Sequence, residues 1–165
     1  MRSKVLVAGI GNIFLGDDAF GVEVIKRLGH RQLPPDVVVK DFGIRGYDLA
    51  YALTENWDLV ILVDALARGG SPGTLYVLEP ELPDTDTSAI ALDGHAMNPE
   101  AVLQLATALG GHISRLLVVG CEPQNLQADD EGRIGLTAPV QDQVEEAIRM
   151  VEKLMIHGRS HAKVA

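Results

Sequence analysis

Apolar residues first gather in an unbroken run, "KVLVAGI" at residues 4–10, which ends at glycine. Such a run predicts a strand covered on both faces. The period then changes: after Asp17 and Asp18, the residues Phe20, Val24, Ile25 and Leu28 recur at helical spacing, predicting an amphipathic helix opened by the two acids. Pro34 and Pro35 break that helix, and "VVVK" predicts a second strand that runs through Lys40 and ends on Asp41 and Gly43. A short helix is expected over 46–53. The third apolar run, 59–63, stops at Asp64; "GGSPG" at 69–73 makes a turn, and "TLYVLEP" gives a fourth strand closed by Pro80.

Residues 81–97 are polar, proline-containing and aperiodic, which marks the longest loop, and long loops in compact domains tend to be functional. Asn98 and Pro99 read as the cap and first position of a helix over "PEAVLQLATALGG". "SRLLVVGCEP" is a fifth strand, followed by the polar excursion "QNLQADDEGRIG". From Thr137, a capping residue, "TAPVQDQVEEAIRMVEKLM" predicts one closing helix with Val140, Val144, Ile148 and Val151 as its buried stripe. Strands alternating with helices imply one three-layer α/β domain, a mostly parallel sheet between helices. The domain is expected over 1–157, with a patternless tail at 158–165.

Composition narrows the partners. The chain has 165 residues, 47% of them hydrophobic, enough for one core. A net charge of −9 disfavours nucleic acid and anionic membrane surfaces. Cys121 is the only cysteine, so no internal disulfide or thiolate zinc cluster can form, in keeping with a reducing, cytoplasmic setting. The N-terminal run reads as a strand and not a signal peptide, and no stretch approaches the roughly 20 apolar residues of a membrane span.

In open α/β sheets the ligand crevice lies outside the carboxyl ends of the strands. "GIGNIFLGDDAFG" follows the first strand. Gly9 and Gly11 suit a dinucleotide turn, but Phe14 stands at the third glycine position, where a ring would block close helix-to-strand packing. Asp17 and Asp18 would repel a pyrophosphate at the helix N-terminus, so no nucleotide is expected. A helix-dipole role is the simpler account of either acid taken alone. However, Asp41 and Asp64 end the second and third strands and bring further carboxylates to the same rim. Asp64 follows a buried strand and needs a partner, whether a ligand, a helix cap or an arginine such as Arg45 or Arg68. His95, in "LDGHAMNP", is the histidine placed to face that rim. Two carboxylates with an imidazole suit a divalent transition metal with open positions.

These segments resemble the hydrogenase maturation proteases, endopeptidases that finish the large subunit of nickel-iron hydrogenases. The resemblance rests on "GIGNIFLGDDAFGVEVIKRL", "LVILVDAL", "SPGTLYVLEP", "GHAMNPEAVLQLATALG", "VVGCEP" and "GLTAPVQDQVEEAI", in family order through nearly the whole chain. It implies a twisted five-stranded sheet between helices and a metal-reading, catalytic set that falls on Asp18, Asp64 and His95. Asp17 as a swap for Asp18, and Asp41 in "DFGIRG", are the additional candidates. The implied reaction removes a C-terminal extension from the large-subunit precursor once nickel, presented by that substrate, is in place. Two rivals are a nickel-checking module that binds without cutting, and a thiol hydrolase with Cys121 as nucleophile and His95 or His112 as base.

Overall fold

The computed structural model describes residues 3–83 and 99–158. Most of the stretch 81–97, with His95, lies outside the described residues, as do the expected cap Asn98 and the tail from 159.

The central strands form where the sequence is apolar without interruption. β1 (Val5–Ile10) is buried at every position, and β3 (Leu59–Ala65) at all but its last two. With β2 (Val37–Gly43), β4 (Leu75–Leu78) and β5 (Leu116–Cys121) they make a five-stranded sheet of order β2-β1-β3-β5-β4. β1 pairs in parallel with β2 and β3, and β3 with β5, while β4 runs antiparallel to β5 at the edge. A parallel return needs a crossover of about a dozen residues or more, usually helical. The shorter, helix-free connection from β3 therefore delivers β4 in the opposite direction.

Because strand side chains alternate between faces, β1 feeds two cores. Val5 and Val7 pack with Phe20 and Val24 of α1 (Phe20–Leu28) and Val144 and Ile148 of α5 (Val144–His157). Leu6 and Ala8 face Leu49 of α2 (Gly46–Ala52) and Leu103 of α3 (Pro99–Ala108). The result is the expected single α/β domain with a mostly parallel sheet between helices. Among the described residues no helix is long and apolar enough to cross a membrane.

Three local expectations are corrected. Asp17 and Asp18 lie in a 3-10 turn, Gly16–Ala19, and the α-helix begins only at Phe20. The cause is tertiary, since the Asp17 N–H donates to the Asn125 carbonyl at 2.8 Å. The closing helix is two helices, α4 (Ala138–Gln141) and α5, separated at Asp142 and Gln143. Thr137 holds the N-cap position of α4 without a side-chain cap, because its hydroxyl donates to Asp17 instead. The stripe Val140, Val144, Ile148 and Val151 is nevertheless fully buried. Finally, β3 continues past Val63, with Asp64 and Ala65 paired to Gly120 and Cys121.

Candidate active site

The carboxyl ends of β1 and β3 bring Asp18 and Asp64 within electrostatic reach of each other. Asp64 is half-buried, and its Oδ1 accepts the N–H of Ala65 at 2.8 Å. Neither arginine considered as its partner pairs with it. Arg45 donates to the Asp41 and Phe42 carbonyls and lies 3.8 Å from Asp48. Arg68 lies over the Tyr76 ring, 5.7 Å from its centroid. Among the described residues Asp64 has no cationic partner. Burial, and then the negative charge of Asp18, push its carboxyl up from 3.8 to about 7 against the opposing Ala65 hydrogen bond. Asp18 Oδ2 accepts the Asn12 N–H at 2.8 Å.

Glycines let these segments close on one another. A methyl group on Gly21 would sit 2.1 Å from the Val63 carbonyl oxygen and 2.4 Å from that of Ile10, so α1 is seated directly on β1 and β3. Gly11 has φ +141°, and a methyl group there would lie 1.8 Å from the Asp18 carbonyl oxygen. Phe14 is exposed in the loop and stands clear of this contact, so its ring does not block helix-to-strand packing as the motif suggested. Asp64 also lines a cleft of about 340 Å³ whose walls include Leu62, Leu66, Leu103 and Val118.

The other acids are placed differently. Asp17 is fully buried and turned into the protein. The Gln124 and Asn125 N–H groups donate to its Oδ2 at 2.8 and 2.9 Å, and the Thr137 N–H donates to Oδ1 at 2.7 Å. Asp41, on the far side of β1 from Asp64, is exposed and accepts the Gly43 N–H at 2.7 Å in a tight turn. Among the described residues no group of three or more His, Cys, Asp or Glu could hold a metal. His95 lies outside them.

Cys121 is fully buried, and burial followed by the charges of Asp17 and Glu122 pushes its thiol up to about 12. A thiol so protonated and enclosed is a poor nucleophile. Iodoacetamide under native conditions at neutral pH is therefore expected to leave peptide cleavage unchanged, as is Cys121→Ala. Inactivation by either would restore the thiol mechanism.

Glu122 was not singled out from the sequence, although it follows a buried strand just as Asp64 does. It accepts the Arg68 N–H at 2.8 Å, the Gly69 N–H at 3.2 Å and the Tyr76 hydroxyl at 2.7 Å. Those bonds, that of Arg68 foremost, hold its carboxyl below the usual range. It anchors the turn that follows β3.

The family model described as hydrogenase maturation protease matches residues 22–154. The chain belongs to the hydrogenase maturation protease family. Its relatives include the hydrogenase 2 maturation protease of Escherichia coli strain K12, 34% identical over 151 residues that span 90% of this chain and 88% of that protein. The hydrogenase expression/formation protein HupD of Rhizobium leguminosarum is 33% identical over 154 residues, 92% of this chain and 74% of that one. Among solved structures, the hydrogenase maturating endopeptidase HybD from E. coli matches with TM-score 0.72 and 30% identity over 94% of both chains. An E. coli endopeptidase solved in solution matches with TM-score 0.74 and 32% identity, again over 94% of both. This maturation protease is thus a hydrolase, an endopeptidase on an α/β domain shared with those enzymes.

Proposed function

We propose that this maturation protease removes a C-terminal extension from the nickel-loaded large-subunit precursor of a nickel-iron hydrogenase, with Asp18, Asp64 and His95 holding the nickel presented by the substrate. The observation that carries this reading is the carboxylate of Asp64, half-buried, without a cation among the described residues, and destabilised by the charge of Asp18. Two acids close together in a partly dehydrated place ionise together at a cost that a positive charge between them removes. Oxygen donors with one imidazole suit a divalent transition metal and leave positions open for the substrate's own ligands. Nickel seated there would polarise the scissile carbonyl or an attacking water. The apolar cleft beside Asp64 gives the peptide flanking that bond a place to lie. A cytoplasmic site of action fits the single, free cysteine.

Intact mass spectrometry of the precursor, with and without nickel, tests the reading before and after incubation with the protein. Loss of a C-terminal peptide from the nickel-loaded form alone is expected, and His95→Ala should abolish it without changing the circular dichroism spectrum. Equal cleavage of the nickel-free form would remove the metal from recognition. Binding of the precursor without any change in mass would make the protein a checking module.

A further inference from the structure

Asp17 is a buried acid that the proposed chemistry does not use. Every group bonded to its carboxylate is a donor: the N–H groups of Gln124, Asn125 and Thr137, and the Thr137 hydroxyl at 2.8 Å from Oδ2 and 3.0 Å from Oδ1. The donors come from the loop after β5 and from the start of α4, so one side chain ties three separate segments together. The turn is gripped at other points too. The Asp17 N–H reaches the Asn125 carbonyl, the Asp18 carbonyl lies against Gly11, and a methyl group on Gly16 would meet the Asn125 oxygen at 2.7 Å.

We infer that Asp17 is a positioning residue, whose clamp on Gln124, Asn125 and Thr137 sets the direction in which Asp18 presents its carboxylate to the substrate's metal. Successive residues in a 3-10 turn project about 120° apart. With Asp17 drawn inward by its donors, Asp18 is directed away from them, to where Asn12 meets its Oδ2. Asp17 is not itself a ligand, since both of its oxygens are engaged and it has no exposed surface. The inference rests on the reading of Asp18 as a nickel-holding carboxylate.

Thr137→Val removes the hydroxyl but keeps the backbone donor and the side-chain shape; Thr137→Ser keeps the hydroxyl. Both are compared with wild type, Asp17→Asn and Asp18→Asn in two assays. One is calorimetric titration with Ni²⁺ alone, and the other is kcat and KM on nickel-loaded precursor. Thr137→Val is expected to fold, to bind Ni²⁺ about tenfold more weakly, as loss of a partner behind a ligand typically does, and to lose kcat more than KM. Thr137→Ser should retain wild-type values.

A lowered melting temperature with wild-type Ni²⁺ affinity and kcat per folded molecule in Thr137→Val would make the clamp merely structural and overturn the inference. So would Asp17→Asn matching Asp18→Asn in loss of Ni²⁺ binding while Thr137→Val behaves as wild type, since Asp17 would then be a ligand. If Asp18→Asn itself keeps full Ni²⁺ affinity and processing, the underlying assignment of Asp18 fails and takes this inference with it. Asp18→Asn thus reports on that assignment, and Thr137→Val on the clamp.

Discussion

Asp64→Asn is expected to stop precursor processing and, at the same time, to make the folded protein more stable at and above neutral pH. The carboxyl titrates near 7 in the folded chain and near 3.8 when unperturbed, because burial and the charge of Asp18 disfavour its ionised form. Between those values the folded state holds a proton that the unfolded state has released, so stability falls as pH rises toward 7 and levels off above it. An asparagine has no proton to lose. The ionised carboxylate costs the folded state up to about 4 kcal/mol, and a domain of this size gains about 2–4 °C in melting temperature per kcal/mol. Asp64→Asn should therefore melt at least about 5 °C higher than wild type at pH 8, with the gain shrinking as pH is lowered toward 4. Melting curves of both proteins across that range check the sign directly. A gain independent of pH, or no gain, would show that Asp64 is compensated in the folded chain.

Gly21→Ala carries the second large effect, and it is structural. Its new methyl group would stand 2.1 and 2.4 Å from the carbonyl oxygens of Val63 and Ile10, backbone atoms that cannot rotate aside. Overpacking of a close contact costs about 1–3 kcal/mol, and more where backbone must shift. The helix has to lift from the sheet, and it carries Asp18 on the turn before it. A fall in melting temperature of about 10 °C is expected, together with loss of processing. Gly69→Ala is the comparison, since Gly69 has φ +84° but nothing within 4 Å of an added methyl group. Its cost is backbone strain alone, about 1–2 kcal/mol. Equal melting temperatures for the two variants would mean that the α1 contact is looser than its geometry implies.

The legible part of this protein is the part decided locally. β1 and β3 are buried on both faces, so their apolar runs identify them without reference to anything else. The stripe shared by α4 and α5 survives the break between them, because a 3.6-residue period reports which face meets the core and is blind to a two-residue interruption. What stayed illegible was decided at long range. Asp17 and Asp18 are identical neighbours, and their different environments depend on Gln124, Asn125 and Thr137, more than a hundred positions away. Thr137 read as a helix cap for the same reason, since nothing near it in the chain reveals a buried carboxylate waiting for its hydroxyl. Phe14 stands at a glycine position of the motif, whereas the close approach of helix to sheet is made by Gly21, outside that motif.

The 3-10 turn at Gly16–Ala19 has a consequence for how such a chain can vary. Gly11 is pinned against Asp18 at one end, and Gly16 against Asn125 at the other. Between them Ile13 and Phe14 are exposed and can be exchanged for others of many kinds. Losing or gaining a single one is another matter. It would advance the turn by about 120° and carry Asp18 toward the donors that belong to its neighbour. The loop is thus a spacer as much as a surface, free to drift at its exposed positions but held to its length.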